Sequence, residues 1–212
     1  PDPIYVRTSL SLPQAELSAS WVGITGQLTI ASDDLEVLPP ERRNILKRVM
    51  PAHGKMARPV DLFDRDIPRV WIVPATNGSQ DRYVIGLFNW DNEQITIDEP
   101  LERMGLDPTV SYAAFEYWTN KLQPIVAGRL QSTLAPLGKG TSGGRAKTDN
   151  EIPRCCAALS IVPIKEHPQL LSTSRHVTQG LVDVVESTWN RETNTLTGIS
   201  RVVAADPYEI RI

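Results

Sequence analysis

The sequence predicts a mainly β protein, an antiparallel β-sandwich preceded by a short α/β unit. From about Arg69 onward, short apolar stretches alternate with turn residues and no helical pattern intervenes, which is the signature of a sandwich. The first sixty or so residues instead run helix, strand, acidic loop, helix, the order of a parallel-sheet or barrel protein. The 17 prolines in 212 residues exceed the usual ~5% and favour turns over long helices.

The elements follow in order. Ser11, with Pro13 in the first turn and Gln14 three residues on, is a helix start. Ala15, Leu17, Trp21, Val22 and Ile24 continue at amphipathic spacing, and Gly26 ends the helix. Residues 27–32 form a strand pattern, followed by the acidic pair Asp33 and Asp34. Pro39 and Pro40 open a second helix with Ile45, Leu46, Val49 and Met50 as its apolar stripe, and Pro51 stops it. A lone parallel strand needs hydrogen-bonded neighbours. The sequence offers none, so the expectation is a fragment whose companion strands belong to other polypeptide. The start at Pro1 agrees, either as a mature terminus or as the cut end of a longer chain.

Beyond Arg69, strands are expected near 70–73, 83–90, 94–98, 111–118, 125–134, 156–162, 181–189, 194–203 and 208–212. Val126, Leu130 and Leu134 alternate with polar neighbours, as do Tyr208, Ile210 and Ile212. The run from Tyr83 to Phe88 is apolar on both faces and belongs at the centre of a sheet. Residues 136–154, rich in glycine, form a mobile surface loop by composition.

Composition narrows the function classes. With 41% hydrophobic and 22% charged residues the chain can build a core. A net charge of −3 argues against a nucleic-acid partner. No apolar run reaches the roughly 18–20 residues of a membrane span. Adjacent Cys155 and Cys156 cannot easily reach disulfide geometry and are expected as buried thiols.

Candidate chemistry is sparse. Gly138-Lys139-Gly140-Thr141 invites a phosphate-loop reading, but Thr133 stands where the first glycine is required. His53, His167 and His176 show no zinc-site spacing; His176 is expected to tie a loop to the sheet. No Gly-x-Ser-x-Gly elbow supports a serine nucleophile. Asp33 and Asp34 follow a strand, where barrel residues face an active site. By residue type alone a capping role is favoured. Trp90, Trp118 and Trp189 could stack on sugar rings, yet core or interdomain packing is favoured for them too.

A family resemblance rests on ordered short segments. Gly26-Gln27-Leu28-Thr29-Ile30-Ala31-Ser32-Asp33 leads to Leu38-Pro39-Pro40-Glu41-Arg42-Arg43-Asn44-Ile45-Leu46, Arg58-Pro59-Val60-Asp61-Leu62-Phe63, Pro68-Arg69-Val70-Trp71 and Leu87-Phe88-Asn89-Trp90. Phe115-Glu116-Tyr117-Trp118, His167-Pro168-Gln169-Leu170-Leu171, Thr173-Ser174-Arg175-His176 and Gln179-Gly180 follow. Together they resemble the end of the catalytic barrel and the C-terminal domain of alpha-galactosidase (melibiase) type glycoside hydrolases. The glycine-rich insert around Gly140 departs from that pattern.

The resemblance implies a retaining glycosidase whose two catalytic carboxylates stand about 5–5.5 Å apart, on barrel strands before the last. Nothing in this sequence matches them, so no catalytic residue, metal ligand or cofactor is assigned. Residues 1–56 would be the last helix, strand and helix of a (β/α)8 barrel, 57–68 a linker, and 69–212 the sandwich. The helix from Pro39 to Met50 would join the two. Ser32, Asp33 and Asp34 would stand at the rim of the sugar pocket as substrate contacts. The expected partners are the missing N-terminal barrel and, in the parent enzyme, a carbohydrate substrate, with no nucleic acid or membrane. The implied role is structural support, inactive alone; a carbohydrate-binding or purely structural sandwich is the alternative.

Overall fold

The chain begins with a β-α-β-α unit. The computed structural model, which describes residues 3–76, 81–138 and 152–212, places β1 at Pro3–Ile4, α1 at Leu12–Thr25, β2 at Ile30–Ala31 and α2 at Pro40–Val49. The strand expected to be unpaired has a companion. β2 pairs in parallel with β1, Pro3 opposite Ile30 and Ile4 opposite Ala31, and α1 is the crossover between them. Two residues beginning with a proline carry no alternation for periodicity to detect.

Ser11 and Gln14 form the expected reciprocal cap: Gln14 N–H donates to Ser11 Oγ at 3.3 Å, and Ser11 N–H donates to Gln14 Oε1 at 3.0 Å. Gly26 ends the helix at φ 78°, and a Cβ there would lie 2.0 Å from the Lys55 carbonyl oxygen. α1 is not the one-faced helix its spacing suggests. Glu16, Ser20 and Thr25 are buried along with its apolar residues, because α1 lies between the sheet and α2. α2 keeps its single stripe, with Ile45, Leu46 and Val49 buried.

The remaining strands are β3 (Arg58–Pro59), β4 (Val70–Pro74), β5 (Tyr83–Phe88), β6 (Ile95–Pro100), β7 (Ser111–Glu116), β8 (Lys121–Leu122), β9 (Val126–Ala127), β10 (Arg129–Leu134), β11 (Cys156–Pro163), β12 (Ser172–Thr173), β13 (Val184–Asn190), β14 (Thr195–Ser200) and β15 (Ile210–Arg211). The main sheet runs β3-β4-β5-β11-β7-β9-β10-β6, with β8 added on β7. Its pairings are antiparallel. β3 lies in the segment expected as linker, where buried Asp61 also accepts the backbone N–H groups of Arg69 and Val70.

β5, apolar on both faces, is central as expected, between β4 and β11. On one face Val73, Val84, Phe88 and Ala158 share a core with Leu17, Val22 and Ile24 of α1. On the other, Val70, Ile72, Ile85, Leu87, Leu159 and Ile161 pack against Ile97, Leu101, Leu130 and Leu134. The expected strand 125–134 is two. Gly128, at φ 66°, turns the chain so that Val126 pairs with β7 while 129–134 pairs with β6.

The C-terminal strands differ from expectation more. Among the described residues β13 and β14 pair only with each other, and β15 pairs with β12. Ile210 and Ile212 are exposed rather than facing a core. The glycine-rich stretch beyond Gly138, including Lys139, Gly140 and Thr141, lies outside the described residues.

Candidate functional site

Ser32, Asp33 and Asp34 follow β2 directly, on the side where parallel strands present their C-terminal ends. Ser32 is exposed, and its N–H donates to the Ile4 carbonyl at 3.2 Å. The Asp33 side chain is 5% exposed: Oδ2 accepts the Val6 N–H at 2.6 Å and Oδ1 accepts Arg7 Nε at 2.7 Å. The carboxylate thereby fastens the chain leaving β1 to the chain leaving β2. Arg7 also lies over the Tyr5 ring, 4.2 Å from its centroid. Asp34 is exposed and accepts the Glu36 N–H at 3.0 Å, as a turn-forming aspartate does. Of the three, Ser32 and Asp34 reach solvent, while Asp33 serves the backbone.

The seam between the helices and the sandwich is chiefly made by α1, which lies against β4, β5 and β11, while α2 packs on α1. This corrects the expectation that the Pro39–Met50 helix joins the two halves. Arg154 reaches Glu16 of α1 with Nε to Oε2 at 2.9 Å, both side chains 5% exposed. Gln14 donates to the Leu137 and Gly138 carbonyls at 3.2 and 2.7 Å. Trp118 Nε1 donates to Ser20 Oγ at 2.8 Å. α2 contributes Arg48, whose Nη1 donates to the carbonyls of Ser174 and Arg175, both at 3.3 Å.

Two of the tryptophans are packing groups at this seam. Trp90 stacks on Phe88 with centroids 5.6 Å apart, meets Trp21 edge-on at 5.8 Å, and donates to the Pro68 carbonyl at 3.0 Å. Trp118 meets Tyr117 edge-on at 5.1 Å. Trp189 stacks on His167, centroids 5.0 Å apart, near the turn of the β13–β14 hairpin.

His176 is buried, and the N–H of its neighbour Val177 donates to the Arg48 carbonyl at 2.8 Å, so the loop is tied to α2 through its backbone. Burial lowers the His176 pKa, with Asp183 opposing. Nearby, buried Arg82 donates to the carbonyls of Gln179 and Ala75, and burial brings its pKa down to about 10. Asp183 Oδ2 accepts Thr173 Oγ1 at 2.8 Å and Tyr208 OH at 2.6 Å. This knot holds β12, β13 and the C-terminal stretch together. Cys155 and Cys156 are free thiols and buried; burial pushes Cys155 up to about 12 and Cys156 upward as well.

Among the described residues no group of three or more His, Cys, Asp or Glu side chains is placed to hold a metal ion. No described helix is long and apolar enough to cross a membrane. Sequence reasoning missed the Glu16–Arg154 pair and the buried Arg82 and Asp183. A charged residue on a helix face or beside a turn ordinarily reads as solvated, and no local signal distinguishes these.

An antiparallel sheet closed on one face by its own β6 and β10 and covered on the other by a β-α-β-α unit is the architecture of a sandwich domain joined to an α/β neighbour. Residues 66–138 match the alpha galactosidase C-terminal beta sandwich domain. That stretch is thus similar to the C-terminal β-sandwich of alpha-galactosidases. Among solved structures the chain is similar to alpha-galactosidase I from Mortierella vinacea, at 9% identity and TM-score 0.56, over 76% of this chain and 38% of that one. It is likewise similar to the alpha-galactosidase of Saccharomyces cerevisiae, at 12% identity and TM-score 0.53, over 77% of this chain and 46% of that one. A β-L-arabinopyranosidase from Geobacillus stearothermophilus matches at 13% identity and TM-score 0.51, over 74% of this chain and 32% of that one. At these identities the likeness is one of fold, and the chain spans less than half the length of each. No curated protein matches the chain.

Proposed function

We propose that residues 1–56 are the closing part of a (β/α)8 catalytic barrel and residues 69–212 its C-terminal domain, in a retaining glycoside hydrolase acting on a carbohydrate. In this reading the chain supports the barrel. It supplies Ser32 and Asp34 at the rim of the sugar pocket, with Asp33 holding that rim in place, and it has no hydrolytic activity of its own. The two catalytic carboxylates belong to other barrel strands.

The observation that carries the reading is the ladder of β1 and β2. It is parallel, has two residues in each strand, and pairs with no other strand among the described residues. Leu28 and Ile30 beside it are 62% and 42% exposed. Parallel strands are ordinarily buried on both faces, so this pair is suited to further strands on either side. Ser32–Asp34 then occupy the end of the barrel where active sites are built.

The test is hydrolysis of an aryl α-galactoside. The 212-residue chain is expected to show none above background, and the parent enzyme to turn over in the range of about 1–1,000 per second. In the parent, Asp34→Ala is expected to raise KM. Enzyme-like turnover by the 212-residue chain alone would overturn the supporting role.

A further inference from the structure

Between α1, α2 and the sandwich edge lies a polar cavity of about 340 Å³ to which Ser32, Asp33 and Asp34 do not contribute. Its charged lining is balanced: Arg48, Arg154 and Arg211 against Glu16, Glu41 and Glu209. Arg154 is engaged with Glu16, and Arg211 with Glu209 and Asn120, each of the latter at 2.6 Å. The side chains of Glu41 and Asn44, exposed on α2, make no hydrogen bond among the described residues. Among the described residues the Arg48 side chain donates through Nη1 alone, leaving its Nε and Nη2 donors available there. Tyr117 and Trp118 supply an aromatic wall.

We propose that this cavity binds the pyranose ring of a neutral saccharide without cleaving it. A ring hydroxyl both donates and accepts. The open groups here include donors on Arg48, acceptors on Glu41 and both kinds on Asn44. A pyranose also has an apolar C–H face that suits an aromatic wall beside polar groups. Charge selects against the main alternative: a phosphate or carboxylate entering the cavity meets three glutamates along with the three arginines. The volume lies at the small end of ligand pockets and fits a single ring. This site stands apart from the proposed barrel pocket, and its occupancy does not depend on that proposal.

The indole N–H of Trp118 is a local reporter. Protein labelled with ¹⁵N at tryptophan is titrated with galactose, glucose, galacturonate and inorganic phosphate, and Trp118→Phe assigns the resonance. A saturable shift with a neutral sugar is expected, with Kd on the order of 1 mM for a ligand of about a dozen heavy atoms. Asn44→Ala and Glu41→Ala, both at exposed helix positions, should keep the wild-type spectrum of the free protein and weaken binding about tenfold each. Three results would overturn the proposal: no saturable shift at about 50 mM sugar, far above that Kd; variants that bind like wild type; or tighter binding of phosphate or galacturonate than of either neutral sugar. A failure of the hydrolysis assay would leave these readings unchanged.

Discussion

Arg154 and Glu16 face each other across the seam between sandwich and α1, with Nε–Oε2 at 2.9 Å and Nη2–Oε1 at 3.3 Å. Each side chain is nearly inaccessible, so neither charge can recover hydration if the other is removed. Glu16→Ala or Arg154→Ala should therefore cost about 3–5 kcal/mol. Replacing both with apolar residues of similar size should cost far less. Urea unfolding of the two single variants and the double variant measures the difference. Single variants as stable as wild type would show that the pair is solvated.

The Asp33 carboxylate should matter to stability more than its neighbour does. Asp33→Ala removes the acceptor for the Val6 N–H and the partner of Arg7, a loss of about 1–3 kcal/mol. Asp34→Ala, at an exposed turn position, should stay within about 0.5 kcal/mol. Equal melting shifts for the two variants would contradict this assignment.

Acid should weaken the fold before the carboxylates titrate. Burial holds His53 and His176 below the ordinary imidazole value of 6.5. Between that value and the lower folded-state values, the unfolded chain binds more protons than the folded one. Stability is therefore fully present above pH 6.5 and falls as pH drops through the window below it. Denaturant midpoints measured from pH 7.5 down to about 5 should show the decline, and His53→Gln with His176→Gln should flatten it.

The cysteines should resist alkylation. The thiolate is the reactive form, and burial pushes Cys155 up to about 12 and Cys156 upward too. At mildly alkaline pH, iodoacetamide should label neither in the native protein and both in urea, as mass spectrometry would register. Their raised values also imply that stability is lost as pH climbs past the ordinary thiol value of 9.0, where only the unfolded chain releases those protons.

Gly86 fixes how closely α1 approaches β5. A Cβ there would lie 2.7 Å from the Phe88 ring and 3.1 Å from Ile24 Cδ1. Gly86→Val should destabilise by about 1–3 kcal/mol through overpacking, and trimming Phe88 to Leu in the same chain should recover part of it. Circular dichroism melts of the three proteins check this.

Much of this architecture was legible in the residues. The Ser11–Gln14 cap, the stop at Gly26, the stripe of α2 and the doubly apolar β5 each depend on neighbours within a few positions, and the ordered segments from Gly26 onward carried the resemblance to alpha-galactosidases, which the family match over residues 66–138 shares. What escaped depends on distant partners. β1 is too short to have a period, the burial of α1 on several sides comes from its place between the sheet and α2, and β13 and β14 read as sandwich strands while, among the described residues, they pair only with each other. At the candidate site, Asp33 and Asp34 look equivalent in sequence; their different roles come from Val6 and Arg7, 27 and 26 residues from Asp33. The polar cavity was invisible for a similar reason, since Glu41, Asn44 and Arg48 read as an ordinary wetted helix surface.

The apolar cluster that joins Leu17, Val22 and Ile24 to Val84, Phe88 and Ala158 has a mechanical consequence. Helices and sheet have no separate interiors on that side. Cutting the polypeptide near residue 57 would strip one wall from the sheet, leaving greasy surface that invites clumping. On heating, the two halves should melt as one.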